Sequence, residues 1–434
     1  MVLDSQRNDS EQIKAQWNLS RERLQRHQLE RLNNLLTHVA DHPFYQERHS
    51  EVRLPLTSLD QLAQIPLLTK QDLIPNTRGQ PGKIFSEERG QYTRYHQTSG
   101  TSGHPMPVFD TKQDWGWWLN CWQHVLTAAE VTDQDTAMMA FSFGPFIGFW
   151  TACDAFIQAG AMVVPGGGMS SETRLQMIVE QDCTLVCCTP TYALHLLETA
   201  GRLGMDLASS PVTRLIVAGE PGGSVSEIRE RISNGWGARV IDHVGASELG
   251  AWGFGDKAGS GIHVIETEFI AECLCFDDGW PQGRPAREGE PSELVLTGLG
   301  RFGGPAIRYR TGDMINPQLE HDQECRFLFL EGGVLGRADD MVVVRGVNIF
   351  PSSLEAIVRQ LDATTEFRVF IDKQGEMDSL HVEAELSPDR CDALSRLFQS
   401  RLAMRIDVQS VTEGSLPRFQ AKSKRWIDRR ANSK

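Results

Sequence analysis

The sequence predicts an α/β protein with a large N-terminal unit, built mostly on parallel sheet, and a small α+β unit at the C-terminus. From about residue 135 to 245, short apolar runs alternate with helical stretches and are followed by glycines, which is typical of a largely parallel sheet. Residues 262–314 instead favour a β-rich antiparallel meander. After Gly336 the pattern changes again, into a compact mixture of strands and helices.

The elements follow in order along the chain. Residues 11–40 predict one amphipathic helix, because leucines recur at near-helical spacing, and the turn at His42–Tyr45 should end it, since Pro43 disfavours helix before it. The predicted parallel strands are TAMMAFSF, AMVVPGG, TLVCCTP, RLIVAGE and ARVIDHVG, with helices SETRLQMIVEQ and VSEIRERI between them. The meander contains GIHVIETEFIAECLCF and SELVLTGLG. A boundary near Gly336–Asp340 divides the chain into units 1–336 and 337–434.

Composition excludes some classes of protein. The 434-residue chain has a formal net charge of -14, which argues against nonspecific binding of DNA or RNA but not against a local anion site. No apolar run is long enough to span a bilayer, and the polar N-terminus lacks a signal core, so we expect a cytoplasmic protein without membrane contact. The nine cysteines lie mostly in apolar runs and are interpreted as reduced, buried thiols, with no zinc site expected.

A loop rich in glycine and hydroxyl groups is the first candidate for chemistry. It runs Thr98-Ser99-Gly100-Thr101-Ser102-Gly103, followed by His104. Glycines bring backbone N–H groups close to a polyanion, and hydroxyls add hydrogen bonds to phosphate oxygens. The Walker pattern is absent. The alternative is a flexible surface turn.

The second candidate is the segment Gly245-Ala246-Ser247-Glu248, directly after the predicted strand ARVID. Ligands bind at strand ends in open α/β sheets. A hydroxyl beside a carboxylate suits a magnesium nucleotide, with Ser247 on phosphate and Glu248 on the metal. The alternative is a strand-to-helix turn in which Ser247 caps the helix.

Three further motifs have weaker individual signals. Asp313, in RYRTGD, could accept hydrogen bonds from ribose hydroxyls, or could belong to a hairpin with a solvated charge pair. The charges of GRADDM at residues 336–341 could form a hinge or a polar linker. Lys422 and Lys424 near the C-terminus could be functional or part of a solvated basic tail.

Taken together, these motifs resemble the acyl-adenylate-forming superfamily, and specifically its phenylacetate–coenzyme A ligase branch. The matching strings are in the family's order and cover about residues 43 to 430: IPLLTKQDL, TSGTSGHP, CTPTYAL, AGEP, VGASELG, GIHV, RYRTGD, GRADDMVVVRGVNIFP and QAKSKRWID. The resemblance implies an N-terminal domain that binds ATP and a carboxylate, a mobile C-terminal domain, and a possible homodimer. It also implies two half-reactions: a carboxylate and ATP with magnesium form acyl-AMP, and coenzyme A as co-substrate then forms a thioester.

The resemblance also implies roles for individual residues. Thr98, Ser99, Gly100, Thr101, Ser102 and Gly103 hold phosphates; Gly219, Glu220 and Pro221 line the adenine; Gly245, Ala246 and Ser247 lie near the acyl-phosphate; Glu248 binds magnesium; Asp313 and Arg337 hold the ribose; Asp339 is the hinge; and Lys422 is the adenylation lysine. The sequence departs from the family at His104, where lysine is usual, and at Val244, where an aromatic is usual.

The acyl pocket implied by the resemblance is lined from residues 141–150, which contain four phenylalanines and a tryptophan. Such residues suit a flat aromatic ring, with Phe146 and the Gly144 backbone as the expected contacts, although they could simply be core. We therefore favour an aryl or arylacetic acid. Two alternatives stay open: transfer of the acyl group to an amine or carrier protein, and a nucleotide-binding pseudo-enzyme. The presence of Glu248, Asp313 and Lys422 together argues against the second.

Overall fold

The computed structural model describes most of the chain. The described residues are 2–75, 81–85, 87–98, 106–141, 144, 147, 150–276, 280–287, 289–318, 324–338, 342–344, 347–349, 351–362, 364–374, 377–402, 404–417 and 425–429. Their α-helices are α1 Val2–Trp17, α2 Arg21–His38, α3 Pro43–Arg48, α4 Lys70–Leu73, α5 Lys112–Ala128, α6 Trp150–Gln158, α7 Ser171–Glu180, α8 Pro190–Leu203, α9 Ser226–Trp236, α10 Pro351–Leu361 and α11 Pro388–Leu402.

The strands divide between a hairpin, one large sheet and the C-terminal unit. They are β1 Tyr92–Gln97, β2 Pro107–Thr111, β3 Thr136–Met139, β4 Met162–Pro165, β5 Leu185–Cys188, β6 Arg214–Val217, β7 Arg239–Ala246, β8 Gly250–Gly255, β9 Gly261–Val264, β10 Phe269–Cys275, β11 Arg284–Pro285, β12 Ser292–Gly298, β13 Tyr309–Gln318, β14 Phe329–Arg337, β15 Val342–Val344, β16 Val347–Ile349, β17 Phe367–Gln374, β18 Met377–Ala384, β19 Asp407–Ser410 and β20 Trp426–Asp428.

The predicted parallel region and the predicted meander belong to one sheet. Its order is β11-β10-β12-β13-β14-β9-β8-β7-β6-β5-β3-β4. Strands β3 to β7 are mutually parallel, as predicted. Strand β7 also pairs antiparallel with β8 and so joins the parallel half to the antiparallel half. The α/β class is confirmed, and the β-rich part is a continuation of the same sheet.

The N-terminal helix prediction is wrong in one respect, because residues 11–40 hold two helices. α1 ends at Trp17, and α2 begins after Ser20, whose side chain accepts a hydrogen bond from the Arg23 N–H. A serine cap satisfies an otherwise unpaired N–H and starts a new helix. The His42–Tyr45 segment likewise begins α3 instead of forming a plain turn, since proline at the first helical position is tolerated.

The helices cover the large sheet and bury its core. α5 contributes buried tryptophans and contacts β8 and α6, while α7, α8 and α9 pack with β5 and β6 in a second apolar cluster. α1 docks on α5, where Trp17 Nε1 donates to His124 Nδ1 at 2.9 Å. Among the described residues, none of the helices has the length and apolarity that crossing a membrane requires.

The C-terminal residues form a small α+β unit with its own core. Its sheet order is β19-β18-β17-β20, and α10 and α11 contact each other. This agrees with the mixture of strands and helices predicted after Gly336, since β17 and β18 lie between α10 and α11 along the chain. α10 also contacts α9 and β14 of the large unit. The last strand of the large sheet ends at Arg337, one residue past the predicted boundary at 336.

Candidate active site

Several of the predicted site residues that the structure describes lie at one edge of the large sheet. The segments that follow β5, β6 and β7 begin at Thr189, Ala218 and Ser247 respectively. Because these strands are parallel, their carboxyl ends share an edge, which is where open α/β sheets bind ligands. The start of β13 reaches the same edge, since Tyr309 contacts Glu248.

The turn that carries Ser247 and Glu248 is a hairpin turn. Ala246 pairs with Gly250 across the β7–β8 ladder, so residues 247–249 connect two antiparallel strands. The alternative of a strand-to-helix turn with Ser247 as a helix cap is therefore wrong. The antiparallel strand β8 decides this geometry. Its sequence, GAWGFG, is rich in glycine and has no pattern from which a strand could be predicted.

Tyr309 fixes the Glu248 carboxylate. Its hydroxyl donates to Glu248 Oε1 at 2.8 Å, and its side chain is buried. Burial, and then the Glu248 charge, raise the pKa of Tyr309 above its ordinary value, so the hydroxyl stays protonated and remains a donor. Analysis of the sequence singled out the RYRTGD string but missed Tyr309 itself, because a tyrosine beside two arginines has no distinctive pattern.

The Glu248 carboxylate fits a magnesium ion shared with phosphates. Tyr309 engages one oxygen, and a carboxylate has a second oxygen with which to bind a cation. The described part of the chain contains no cluster of three or more metal-ligating side chains. Magnesium commonly takes one or two carboxylates, with substrate phosphates and water completing its octahedron. Glu248 is therefore suited to a site that the nucleotide completes.

Asp313 and Arg337, the two residues predicted at the ribose, are direct partners. They lie opposite each other on β13 and β14, and Arg337 Nη1 donates to Asp313 Oδ1 at 2.9 Å. The same guanidinium also donates to the Thr311 carbonyl. The Asp313 side chain is 14% exposed, so this is not the freely solvated charge pair of the alternative interpretation. The pair is a partly exposed polar surface.

The loop after β6 lies directly on β7. Gly219 and Gly222 have φ of +94° and +153°, values that residues with a side chain rarely adopt. A Cβ on Gly223 would lie 2.5 Å from Cγ of Asp242. Ser224 Oγ donates to Asp242 Oδ2 at 2.7 Å, and burial raises the pKa of Asp242 to about 6.

Glu220 turns its carboxylate to the start of α8. Thr191 donates to Oε1 through its backbone N–H at 2.8 Å and also through its hydroxyl, and a helix N-terminus favours negative charge. Burial nevertheless raises the pKa of Glu220 to about 7, and the nearby Glu355 of α10 adds to this effect. The side chain thus holds the loop in place, and the exposed Gly219 and Pro221 face outward.

Gly223→Ala is expected to displace this loop. The new methyl would overlap Asp242, and overpacking of this kind costs about 1–3 kcal/mol. We expect a lower melting temperature and a raised KM for ATP. Gly201→Ala is the matched control: Gly201 is exposed within α8 and a Cβ there meets nothing within 4 Å, so alanine should stabilise by up to about 1 kcal/mol. Equal behaviour of the two variants would contradict the prediction.

Thr98 closes the base of the predicted phosphate loop. Strands β1 and β2 pair antiparallel, ending at Gln97 and Pro107. Thr98 N–H donates to the Met106 carbonyl at 3.0 Å, and Thr98 Oγ1 accepts from the Met106 N–H at 3.0 Å. The loop therefore connects two strands of a hairpin. Ser99, Gly100, Thr101, Ser102 and Gly103 lie outside the described residues.

The aromatic segment predicted to line the acyl pocket is anchored by α5 and α6. Trp150 Nε1 donates to the Gly144 carbonyl at 3.1 Å, and Trp122 Nε1 of α5 donates to Thr151 Oγ1 at 2.8 Å. The Gly144 backbone is therefore held in place by Trp150. Phe146, together with Asp339 and Lys422, lies outside the described residues.

Comparisons with known proteins agree with this arrangement. Residues 346–430 match the family described as AMP-binding enzyme C-terminal domain. A 2-hydroxyisobutyryl-CoA ligase, in a structure titled as the postadenylation state in complex with R3-HIB-AMP, has a TM-score of 0.87 at 24% identity, covering 96% of this chain and 91% of that one. The same ligase with 2-HIB-AMP and CoA in the thioesterification state has a TM-score of 0.71 at 25% identity, covering 95% and 91%. The fold and the matched family define the class of adenylate-forming enzymes.

The family within that class follows from a curated relative. The phenylacetate-coenzyme A ligase of Escherichia coli (strain K12) is 30% identical over 427 residues, which cover 94% of this chain and 95% of that protein. The chain belongs to the phenylacetate–coenzyme A ligase family.

Proposed function

We propose that this protein is an ATP-dependent acid–thiol ligase. It joins a carboxylic acid to AMP, releasing pyrophosphate, and then transfers the acyl group to coenzyme A, releasing AMP. The observation that carries the proposal is the meeting of Glu248, Tyr309 and the Asp313–Arg337 pair at the carboxyl edge of the sheet, in a chain of this family. ATP and coenzyme A are substrates; magnesium is the proposed cofactor.

The described residues supply positioning and charge for the first half-reaction. Asp313 offers carboxylate oxygens to ribose hydroxyls while Arg337 holds it in place. Gly219 and Pro221, which are exposed in the loop after β6, line the adenine. Glu248 would hold the magnesium ion, and that ion would supply positive charge that offsets the charge of the phosphates. Each group acts mainly by fixing the α-phosphate near the attacking carboxylate oxygen.

The proposed acid is an aryl or arylacetic acid. Phe141 and Gly144, described residues of the 141–150 segment, follow β3 at the same edge of the sheet as Glu248. Phe146 and the Gly144 backbone are the proposed contacts with the ring. Tryptophans from α5 and α6 support this segment, and aromatic surroundings favour a flat ring through edge and offset contacts. The cytoplasmic location and the homodimer stay predictions.

The proposal can be tested with a panel of aryl, arylacetic and short aliphatic acids. Pyrophosphate release is measured for each acid with and without coenzyme A. We expect acid-dependent pyrophosphate release that is highest with an arylacetic or aryl acid, and release of AMP only when coenzyme A is added. AMP release with an amine or a carrier protein, but not with coenzyme A, would identify the alternative acceptor. Nucleotide binding without any pyrophosphate release would identify a pseudo-enzyme.

The proposed hinge at Asp339 can be tested by fixing its backbone. The large unit holds the chain up to residue 338, since Ala338 N–H donates to the Gly312 carbonyl at 2.7 Å. A rotation between half-reactions would therefore begin just after that bond. Asp339→Pro restricts φ to near -65°, and we expect it to lower thioester formation from supplied acyl-AMP by about tenfold or more while changing adenylation less.

Asp339→Ala is the control for the proline variant, because alanine removes the carboxylate and leaves φ free. Single-turnover assays of each half-reaction measure both variants. Equal loss of both half-reactions, or of neither, in the proline variant would remove the hinge assignment.

A further inference from the structure

A buried ion pair connects two parts of the candidate active site that are far apart in sequence. Arg301 and Asp110 have side chains that are 2% and 0% exposed, and Arg301 Nη2 lies 2.7 Å from Asp110 Oδ1. Arg301 Nη1 donates to the Ser247 carbonyl at 2.8 Å. One guanidinium therefore contacts both β2 and the β7–β8 turn.

The two ends of this connection lead to different ligand-binding elements. Asp110 lies on β2, opposite Arg94 in the β1–β2 hairpin, and its Oδ2 is 4.0 Å from Nδ1 of His96 on β1. These two strands carry the predicted phosphate loop at their ends. Ser247 immediately precedes Glu248, the proposed magnesium ligand. The Arg301 guanidinium thus connects the β1–β2 hairpin with the β7–β8 turn.

The segment that carries Arg301 is itself closely packed. A Cβ on Gly300 would lie 2.2 Å from Cδ1 of Trp117, and the Gly303 N–H donates to Asp114 Oδ1 at 3.1 Å. The guanidinium also lies over the Trp118 ring, 5.3 Å from its centroid. Three contacts with α5 therefore hold the segment that carries Arg301.

We propose that Arg301 is a positioning residue that sets the distance between the β1–β2 hairpin and the Ser247–Glu248 turn. The inference rests on the proposed function of this site. This role requires a planar guanidinium, because only that group can place one Nη beside the Asp110 carboxylate and the other on the Ser247 carbonyl at once. Lysine keeps the charge but is a point donor and cannot hold both partners in this geometry.

Arg301→Lys should consequently impair adenylation selectively. A misplacement of about 1 Å at a reacting centre can cost about 10²-fold. We expect kcat/KM for pyrophosphate release to fall about 10²-fold, with a raised magnesium requirement, while thioester formation from supplied acyl-AMP falls less than about threefold. Asp110→Asn removes the charge from the other partner and should give the same selectivity with a smaller loss. The double variant should lose less than the two single losses multiplied together, since both act through one contact.

Arg214→Lys is the matched control. Arg214 also pairs with an aspartate, Asp135, and donates to the Glu130 carbonyl at 2.8 Å, but it begins β6 and so lies at the opposite edge of the sheet. Melting temperature, both half-reactions and the magnesium titration are measured for all variants. We expect Arg214→Lys to lower the melting temperature without selective loss of adenylation.

Two outcomes would overturn the inference. One is that Arg301→Lys and Asp110→Asn match the Arg214→Lys control in both half-reactions. The other is that they lose both half-reactions equally, in proportion to their lowered melting temperature. If Arg301→Lys does not fold, the Asp110→Asn result decides alone. If the wild-type chain releases no pyrophosphate with any acid of the panel, the proposed function has failed instead, and that result is separate from any property of Arg301.

Discussion

Lys422→Ala is expected to lower pyrophosphate release by about 10²–10³-fold, and still to convert supplied acyl-AMP and coenzyme A to thioester. Adenylation places negative charge on the attacking carboxylate and the α-phosphate together, and a cation between them lowers the barrier. The thiol step starts at the carbonyl of a mixed anhydride, where no such negative charge has to be offset. By then a rotation of the C-terminal unit would have moved Lys422 away from the site. Rapid-quench measurement of the two half-reactions checks the expectation.

Lys422 lies outside the described residues, and the described structure shows how the segment that carries it is anchored. Arg425, three residues on, is 3% exposed. It donates from Nε and Nη2 to the Glu366 carboxylate at 3.1 and 3.0 Å, and from Nη1 to Glu355 at 3.2 Å. Its carbonyl accepts from the Val369 N–H at 2.8 Å. The chain at Arg425 is therefore fixed to the small unit, and we expect Lys422, three residues earlier, to move with that unit.

Lys424→Ala is the built-in control, because Lys424 has the same charge and lies two residues away. We expect it to adenylate at close to the wild-type rate. If Lys424→Ala has the selective defect and Lys422→Ala does not, the assignment is displaced by two residues. If neither variant has a defect in adenylation, both lysines belong to a solvated tail and the mechanism fails at its central residue.

Glu248→Gln is the second large effect, and we expect it to abolish adenylation while the fold stays intact. The amide has the same size and its oxygen can still accept the hydrogen bond from Tyr309. It carries no charge, however, and a neutral amide is a poor replacement for a carboxylate beside a magnesium ion. Titration of magnesium against pyrophosphate release, together with the melting temperature, measures the result.

Tyr309→Phe is the matched control for the geometry of Glu248. It removes the 2.8 Å hydrogen bond and leaves the carboxylate charge. We therefore expect the rate of adenylation to fall about tenfold, which corresponds roughly to the free energy of one hydrogen bond to a charged group. Near-normal activity of Glu248→Gln with an unchanged magnesium dependence would exclude the metal role.

The sequence by itself determined the parallel half of the sheet, the C-terminal unit and the family. The reason is that these features are encoded locally. Runs such as TLVCCTP and RLIVAGE are short, apolar and bounded by turn residues, which identifies buried parallel strands. The Gly-rich and charged motifs are recognisable as strings because the role proposed for each needs consecutive residues. The same local encoding singled out Glu248 and Asp313 as candidate ligand-binding residues without any structure.

Only the tertiary structure decided how these parts meet. Residues 11–40 keep one apolar period across Ser20, so periodicity alone could not reveal the break that the cap makes. The hairpin at Ser247 depends on β8, whose pairing partner β9 lies further along the chain. Arg301 and Asp110 form an ion pair although they are 191 positions apart in the sequence. Pairing over such distances depends on which surfaces the packed core brings together, and no local pattern of residue types contains that information.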